Sequence, residues 1–207
     1  MHKALLLITL SILAACSSDP KNLYQEKVIN SDTPIAERPA DALLEQAIPL
    51  PTDPTWPLPS WEITAAEPRI KIKGSVSNYR IFSVELAANF SHRIKVNSWC
   101  VNACLGFKKY ALTPYLILID KKGQVLTEGF GEITGAVGSI NQSLTGYVSE
   151  NETYYLIVAA DNRAPGETVL VDSVAVIGST TKLITPLRIS MGSYPFGKIA
   201  PYLSTSE

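Results

Sequence analysis

Pro114-Tyr115-Leu116-Ile117-Leu118-Ile119-Asp120-Lys121-Lys122-Gly123 is the stretch that decides the fold. Tyr115 to Ile119 is apolar at every position, too short for an ordinary helix, and closed by turn residues. A run of this kind reads as a strand buried on both faces that enters a hairpin, with Gln124 to Thr127 as its partner. Working outward, the period is two. Ile70 and Ile72 alternate with Arg69, Lys71 and Lys73; Phe82, Val84 and Leu86 alternate with Ser83 and Glu85; Ile94 and Val96 alternate with Arg93, Lys95 and Asn97. Each such stretch turns one face to a core and the other to water.

Downstream the same reading continues. A glycine-rich passage from Gly129 to Gly138 reads as a wide loop, and Leu144 to Ser149 with Thr153 to Ala159 reads as a second hairpin around Glu150-Asn151. Thr168 to Ile177 and Leu183 to Ser190 supply further strands. Short strands separated by turns, without a long helical period, predict an all-β fold over residues 61–207. The expected architecture is an antiparallel β-sandwich, jelly-roll-like, made of two packed sheets.

Residues 16–60 read differently. Between 17 and 60 lie eight of the fourteen prolines and none of the twelve glycines, with seven acidic residues against Lys21, Lys27 and Arg38. This composition predicts a solvated, extended linker that holds the domain tens of ångströms from its attachment point. One interruption is expected: Ala40 to Ile48, following Pro39, has near-helical apolar spacing for two turns, given a surface to dock on.

The first fifteen residues explain the attachment. His2 and Lys3 precede an apolar run from Ala4 to Leu13, and Leu13-Ala14-Ala15-Cys16 closes it. The run is shorter than the roughly 20 residues of a bilayer-spanning helix. It reads as a cleaved lipoprotein signal over 1–15, with Cys16 acylated as the new N-terminus and the membrane as a partner through its lipid. Ser17, in place of an aspartate, points to the periplasmic face of the outer membrane. Cleavage leaves about 190 residues, enough for one domain plus a tether. Their net charge of about −2 lacks a dense basic patch, so no nucleic-acid partner is expected.

With Cys16 acylated, Cys100 and Cys104 remain as an even pair in an oxidising compartment, and a disulfide is expected. An extended strand would hold residues four apart at about 13 Å, so the segment must turn. Two thiols and the mature chain's single histidine, His92, fall short of a zinc site, and no metal or cofactor is expected.

No catalytic residue is expected either. His92 sits in the polar turn Asn89-Phe90-Ser91-His92-Arg93 without a nucleophile motif. Glu128 and Glu132 flank Gly129-Phe130-Gly131 and read as solvated acids rather than a glycosidase pair. Aromatic stacking on sugar is the functional reading with the clearest physical basis. Trp99, beside the cysteine loop, is the first candidate and Tyr110 the second, with Asn97 and Asn102 as hydrogen-bond partners. A tryptophan next to a disulfide also commonly packs on it, so a core role stands beside the ligand role.

From Trp61 to Ile177 the chain resembles the maltose-operon periplasmic protein family (MalM-like). The resemblance lies in Trp61-Glu62-Ile63, Ser77-Asn78-Tyr79, the Pro114 to Asp120 strand and Tyr154-Tyr155-Leu156-Ile157-Val158, with an echo in Tyr194-Pro195-Phe196-Gly197. It implies an envelope protein linked to carbohydrate transport, of the maltose or maltodextrin type, without enzymatic activity. The strand pattern is also similar to small jelly-roll domains appended to secreted peptidases. The sequence thus predicts an accessory binding lipoprotein with a carbohydrate or envelope-protein partner. The alternative is a structural or protein-binding subunit of an outer-membrane assembly, with an open sheet edge or apolar patch.

Overall fold

The computed structural model describes residues 19–102, 104, 109–136 and 138–205. The expected signal over 1–15 and the acylation site Cys16 lie outside the described residues. In chain order the strands are β1 (Ile35–Ala36), β2 (Ile48–Pro49), β3 (Trp61–Ile63), β4 (Arg69–Ile72), β5 (Ser75–Leu86), β6 (Ser91–Asn102), β7 (Tyr110–Ala111) and β8 (Pro114–Ile119). Then follow β9 (Val125–Gly129), β10 (Glu132–Ala136), β11 (Ser139–Tyr147), β12 (Glu152–Ala160), β13 (Thr168–Val176), β14 (Ser179–Ser193) and β15 (Gly197–Ser204).

They form two packed sheets. The first runs β1-β4-β5-β12-β8-β9, with β2 added beside β5. The second runs β10-β11-β6-β7-β14-β13, with β15 joined to both β6 and β3. Long neighbours pair antiparallel, while the two-residue strands β1, β2 and β7 each make a parallel pairing. The all-β sandwich expected from the strand pattern is what the chain forms, with sheets of mixed rather than purely antiparallel pairing.

Strand β8 shows why its sequence is apolar throughout, since all six residues are buried. Leu116 and Leu118 enter a cluster with Phe82 and Leu156 of their own sheet and with Ile94, Leu144 and Ile199 of the other. Tyr115, Ile117 and Ile119 enter a second cluster with Ile70, Tyr79 and Ile81, together with Ala42, Val171 and Ile189. The expected hairpin partner is β9, in register from Leu116↔Gly129 to Ile119↔Val125.

Three expectations are corrected. The expected second hairpin does not form: β11 pairs with β6 and β10, whereas β12 pairs with β5 and β8. Glu150-Asn151 is an arch between sheets, fastened where the Asn151 side chain accepts a hydrogen bond from the Ala88 amide at 2.6 Å. Nor is Gly129–Gly138 simply a wide loop, because it contains the end of β9 and the whole of β10. At Gly131 a Cβ would lie 2.7 Å from the Ser143 carbonyl oxygen, so glycine here permits close backbone approach. The buried Gln142 side chain accepts from Gly131 N and donates to Pro114 O, both at 2.9 Å, tying the sheets together at that point.

The third correction concerns the expected linker. Residues 19–60 form a strap packed on the sandwich. Asp19 caps the short helix α1 (Pro20–Tyr24), accepting from Lys21 N at 2.8 Å. A 3-10 turn, Pro39–Leu44, replaces the two α-turns expected over Ala40 to Ile48; Glu45 is already extended and Ile48 belongs to β2. Val28 and Ala42 are fully buried and Leu50 nearly so. Arg69 of β4, itself buried, donates to the carbonyls of Val28 and Thr33 and clamps the strap. Prolines lack amide donors but suit edge positions, and the sandwich supplies the apolar surface that the strap's composition cannot provide alone.

Candidate functional site

Strand β6 positions the site by its alternation. Ile94, Val96 and Ser98 are buried, so Lys95, Asn97 and Trp99 project from the outer face of the second sheet, all half-buried. On one side the register sets Ser143 opposite Lys95, Asn141 opposite Asn97 and Ser139 opposite Trp99. On the other side, Ala200 opposes Asn97 and Tyr202 opposes Lys95. The face therefore carries two aromatic rings, Trp99 and Tyr202, at opposite ends of a stretch of amides and hydroxyls. Lys198 Nζ lies 5.9 Å from the Trp99 ring centroid, and Lys95 Nζ lies at the same distance from that of Tyr202. Each ammonium is drawn to the negative face of its ring. Burial, with the Asp53 carboxylate adding to it, pushes the Tyr202 hydroxyl above its ordinary range and keeps it a neutral donor.

Beside Trp99 opens a cleft of about 300 Å³, lined by Glu62, Thr64, Val101, Phe196 and Lys198 as well as the indole. Cys100 and Cys104 stand at disulfide distance at the far end of β6, their Cα atoms 5.7 Å apart. Cys100 packs with the inner cluster, so Trp99, one residue away on a strand, projects to the opposite face. The half-buried indole thus lines the cleft on the outer face, with Lys198 over its ring.

Of the four sequence candidates, the structure brings Asn97 and Trp99 together. Tyr110 is used otherwise: a Cβ on Gly192 would meet its Cδ1 and Cε1 at 2.8 Å, and the Tyr194 ring centroid is 6.1 Å away. Tyr110 therefore belongs to the packing of β7 on β14. The side chain of Asn102 lies outside the described residues. Tyr202, Lys198 and Asn141 were missed by sequence reasoning. The alternation Lys198-Ala200-Tyr202 was the available signal, obscured by Pro201, which sits in β15 beyond the reach of its edge partner β3.

The remaining chemistry-bearing residues are engaged elsewhere. His92 Nε2 is 2.7 Å from the Ala87 carbonyl. Glu128, on β9 of the first sheet, is paired with Lys73, whereas Glu132 is on β10 of the second. Among the described residues no group of three or more His, Cys, Asp or Glu side chains is placed to hold a metal ion. No described helix is long and apolar enough to cross a membrane. No known family model matches the chain, and no curated protein sequence matches it.

Proposed function

We propose that this protein is an envelope lipoprotein, anchored through Cys16 at the periplasmic face of the outer membrane, whose sandwich binds glycan without catalysis. The observation that carries the reading is the pairing of Trp99 and Tyr202 on one sheet face, with Asn97 and Asn141 between them. Flat aromatic faces cover the C–H surface of a sugar ring, and neighbouring amides and hydroxyls exchange hydrogen bonds with its hydroxyl groups. The MalM-like resemblance favours maltodextrins and an accessory role in carbohydrate passage across the envelope. Titration calorimetry of the mature protein with a maltodextrin series tests this. Trp99→Ala should abolish the heat of binding while far-ultraviolet circular dichroism is unchanged; no heat with any of a broad glycan panel refutes the proposal.

A second reading, a protein-binding subunit of an envelope assembly, is favoured by β10. It ends the second sheet, pairing only with β11 among the described residues, and such an edge can accept an added strand. In-cell crosslinking from Thr134, combined with inert glycan titrations, would select it.

A further inference from the structure

The packed strap fixes where a lipid anchor must pull. Pro20 is buried against Gly166, its Cβ 3.6 Å from the position a Cβ there would occupy, and Lys21 Nζ lies 2.6 Å from Glu167 Oε1. Asp19 therefore sits beside the turn that leads into β13. From Asp19 to Cys16 the chain has three residues, which reach at most about 11 Å even when fully extended. An acylated Cys16 cannot leave the domain tens of ångströms above a membrane while the strap is docked.

The surface beside this point is apolar. On the β13–β14 hairpin, Leu170 is 50% exposed, Leu187 44% and Ile184 fully exposed. Leu170 lies on the outer face of β13, between buried Val169 and Val171, and the exposure of Ile184 has a local cause. The register passes from Val171↔Leu187 to Ser173↔Lys182, so four residues, Leu183 to Pro186, face Asp172 alone. A bulge of that size pushes its middle residues off the sheet. Arg188, opposite Leu170, and Lys182, opposite Ser173, are exposed at its two ends, with Asp172 the acidic residue between.

We propose that the β13–β14 hairpin rests on the bilayer surface by its outer face, with Leu170 and the bulged Ile184 entering the headgroup region and Arg188, opposite Leu170, meeting anionic phosphates. The inference rests on the anchoring at Cys16 proposed above. Its occupant is lipid because the described chain ends beside this hairpin, within three residues of the acylation site. Apolar side chains next to a lipid anchor add to membrane attachment, and nearby basic residues favour an anionic leaflet.

The test uses the full chain purified from membranes, with intact mass spectrometry establishing whether Cys16 is acylated. Ile184→Cys, Leu170→Cys and, on the turn between β8 and β9, Lys122→Cys are each labelled with an environment-sensitive fluorophore. They are then reconstituted into phosphatidylethanolamine–phosphatidylglycerol vesicles. Labels at 184 and 170 are expected to shift to the blue and to be quenched by nitroxide lipids, while the label at 122 is unaffected. Acylated protein whose 184 and 170 labels behave like that at 122 overturns the proposed orientation and leaves the anchor standing. Protein lacking acylation at Cys16 overturns the anchor, and the orientation with it. Shielding of position 184 that requires an added envelope protein also overturns the proposal.

Discussion

Replacing Arg69 with methionine should release the strap while leaving the sandwich folded. The Arg69 side chain is only 4% exposed and donates to Val28 O at 2.5 Å and to Thr33 O. Hydrogen bonds from a charged donor are worth about 1.5–3 kcal/mol each, so the two together contribute roughly 3–6 kcal/mol. Methionine keeps much of the aliphatic packing and removes the cost of burying a guanidinium, which brings the net loss to about 3 kcal/mol. Both lost bonds fall on the strap, so the loss should appear as local opening. Tryptic cleavage at Lys21 and Lys27, followed by mass spectrometry, measures that opening directly. If reclosing is faster than cleavage, about 3 kcal/mol corresponds to a rise in cleavage rate of roughly a hundredfold. The urea midpoint of the sandwich core, followed by tryptophan fluorescence, should move little. Unchanged cleavage, or loss of strap and sandwich together in one transition, would refute the clamp.

Gly123→Ala should cost about 2–4 kcal/mol. Its φ of +79° disfavours an L side chain, and the new Cβ would lie 2.4 Å from Ala40 Cβ in the strap. Gly74→Ala is the control, since φ is +88° but nothing lies within 4 Å, and thermal denaturation should show a drop of no more than about 2 kcal/mol. Reducing the Cys100–Cys104 pair, or Cys100→Ser, opens a ring closed across a separation of four residues. The chain-entropy cost is about 2 kcal/mol, or roughly 4–8 °C in Tm for a domain of this size by calorimetry. Alkaline stability should fall between pH 10 and about 12. Burial, with the carboxylates of Glu45 and Asp41, pushes Tyr79 up to about 12 from its ordinary 10. The folded state therefore holds this proton over a range where the unfolded chain has released it, and stability drops as pH rises through the window. Urea midpoints flat from pH 9 to 12 would contradict that sign.

What could be read from sequence divides by the range of the interactions involved. Strand β8 and its hairpin were legible because burial on two faces writes itself into every residue from Tyr115 to Ile119, and the turn is encoded locally in Asp120 to Gly123. The outward placing of Asn97 followed from the same logic, since Ile94 and Val96 inside leave the odd positions of β6 outside, whereas Trp99 stood out only for its place beside the cysteine loop. The sheet assignment of β12 was not legible. An arch and a hairpin need the same short polar connection, and only distant partners, Phe82 and Leu118 opposite Leu156, distinguish them. The strap failed for a related reason. Its prolines and acids were weighed against water, yet the relevant alternative was a sheet face with Ile70, Tyr79 and Ile81 already waiting for a cover.

Arg69 holds the one local hint. At a position flanking the alternating Ile70 and Ile72, an arginine reads as solvated, but an arginine buried in a strand needs acceptors from outside its own sheet ladder. Carbonyls of a proline-rich segment can supply them: that segment has fewer amide donors to satisfy its own oxygens, leaving acceptors free for an incoming guanidinium. The carbonyls of Val28 and Thr33 belong to no long helix or sheet, and both accept from Arg69. The proline content that argued for an extended tether is, on this accounting, compatible with docking. Whether such a segment stands free or lies flat is then decided by the buried cation it can cap, and with it the distance between the sandwich and the residues that precede Asp19.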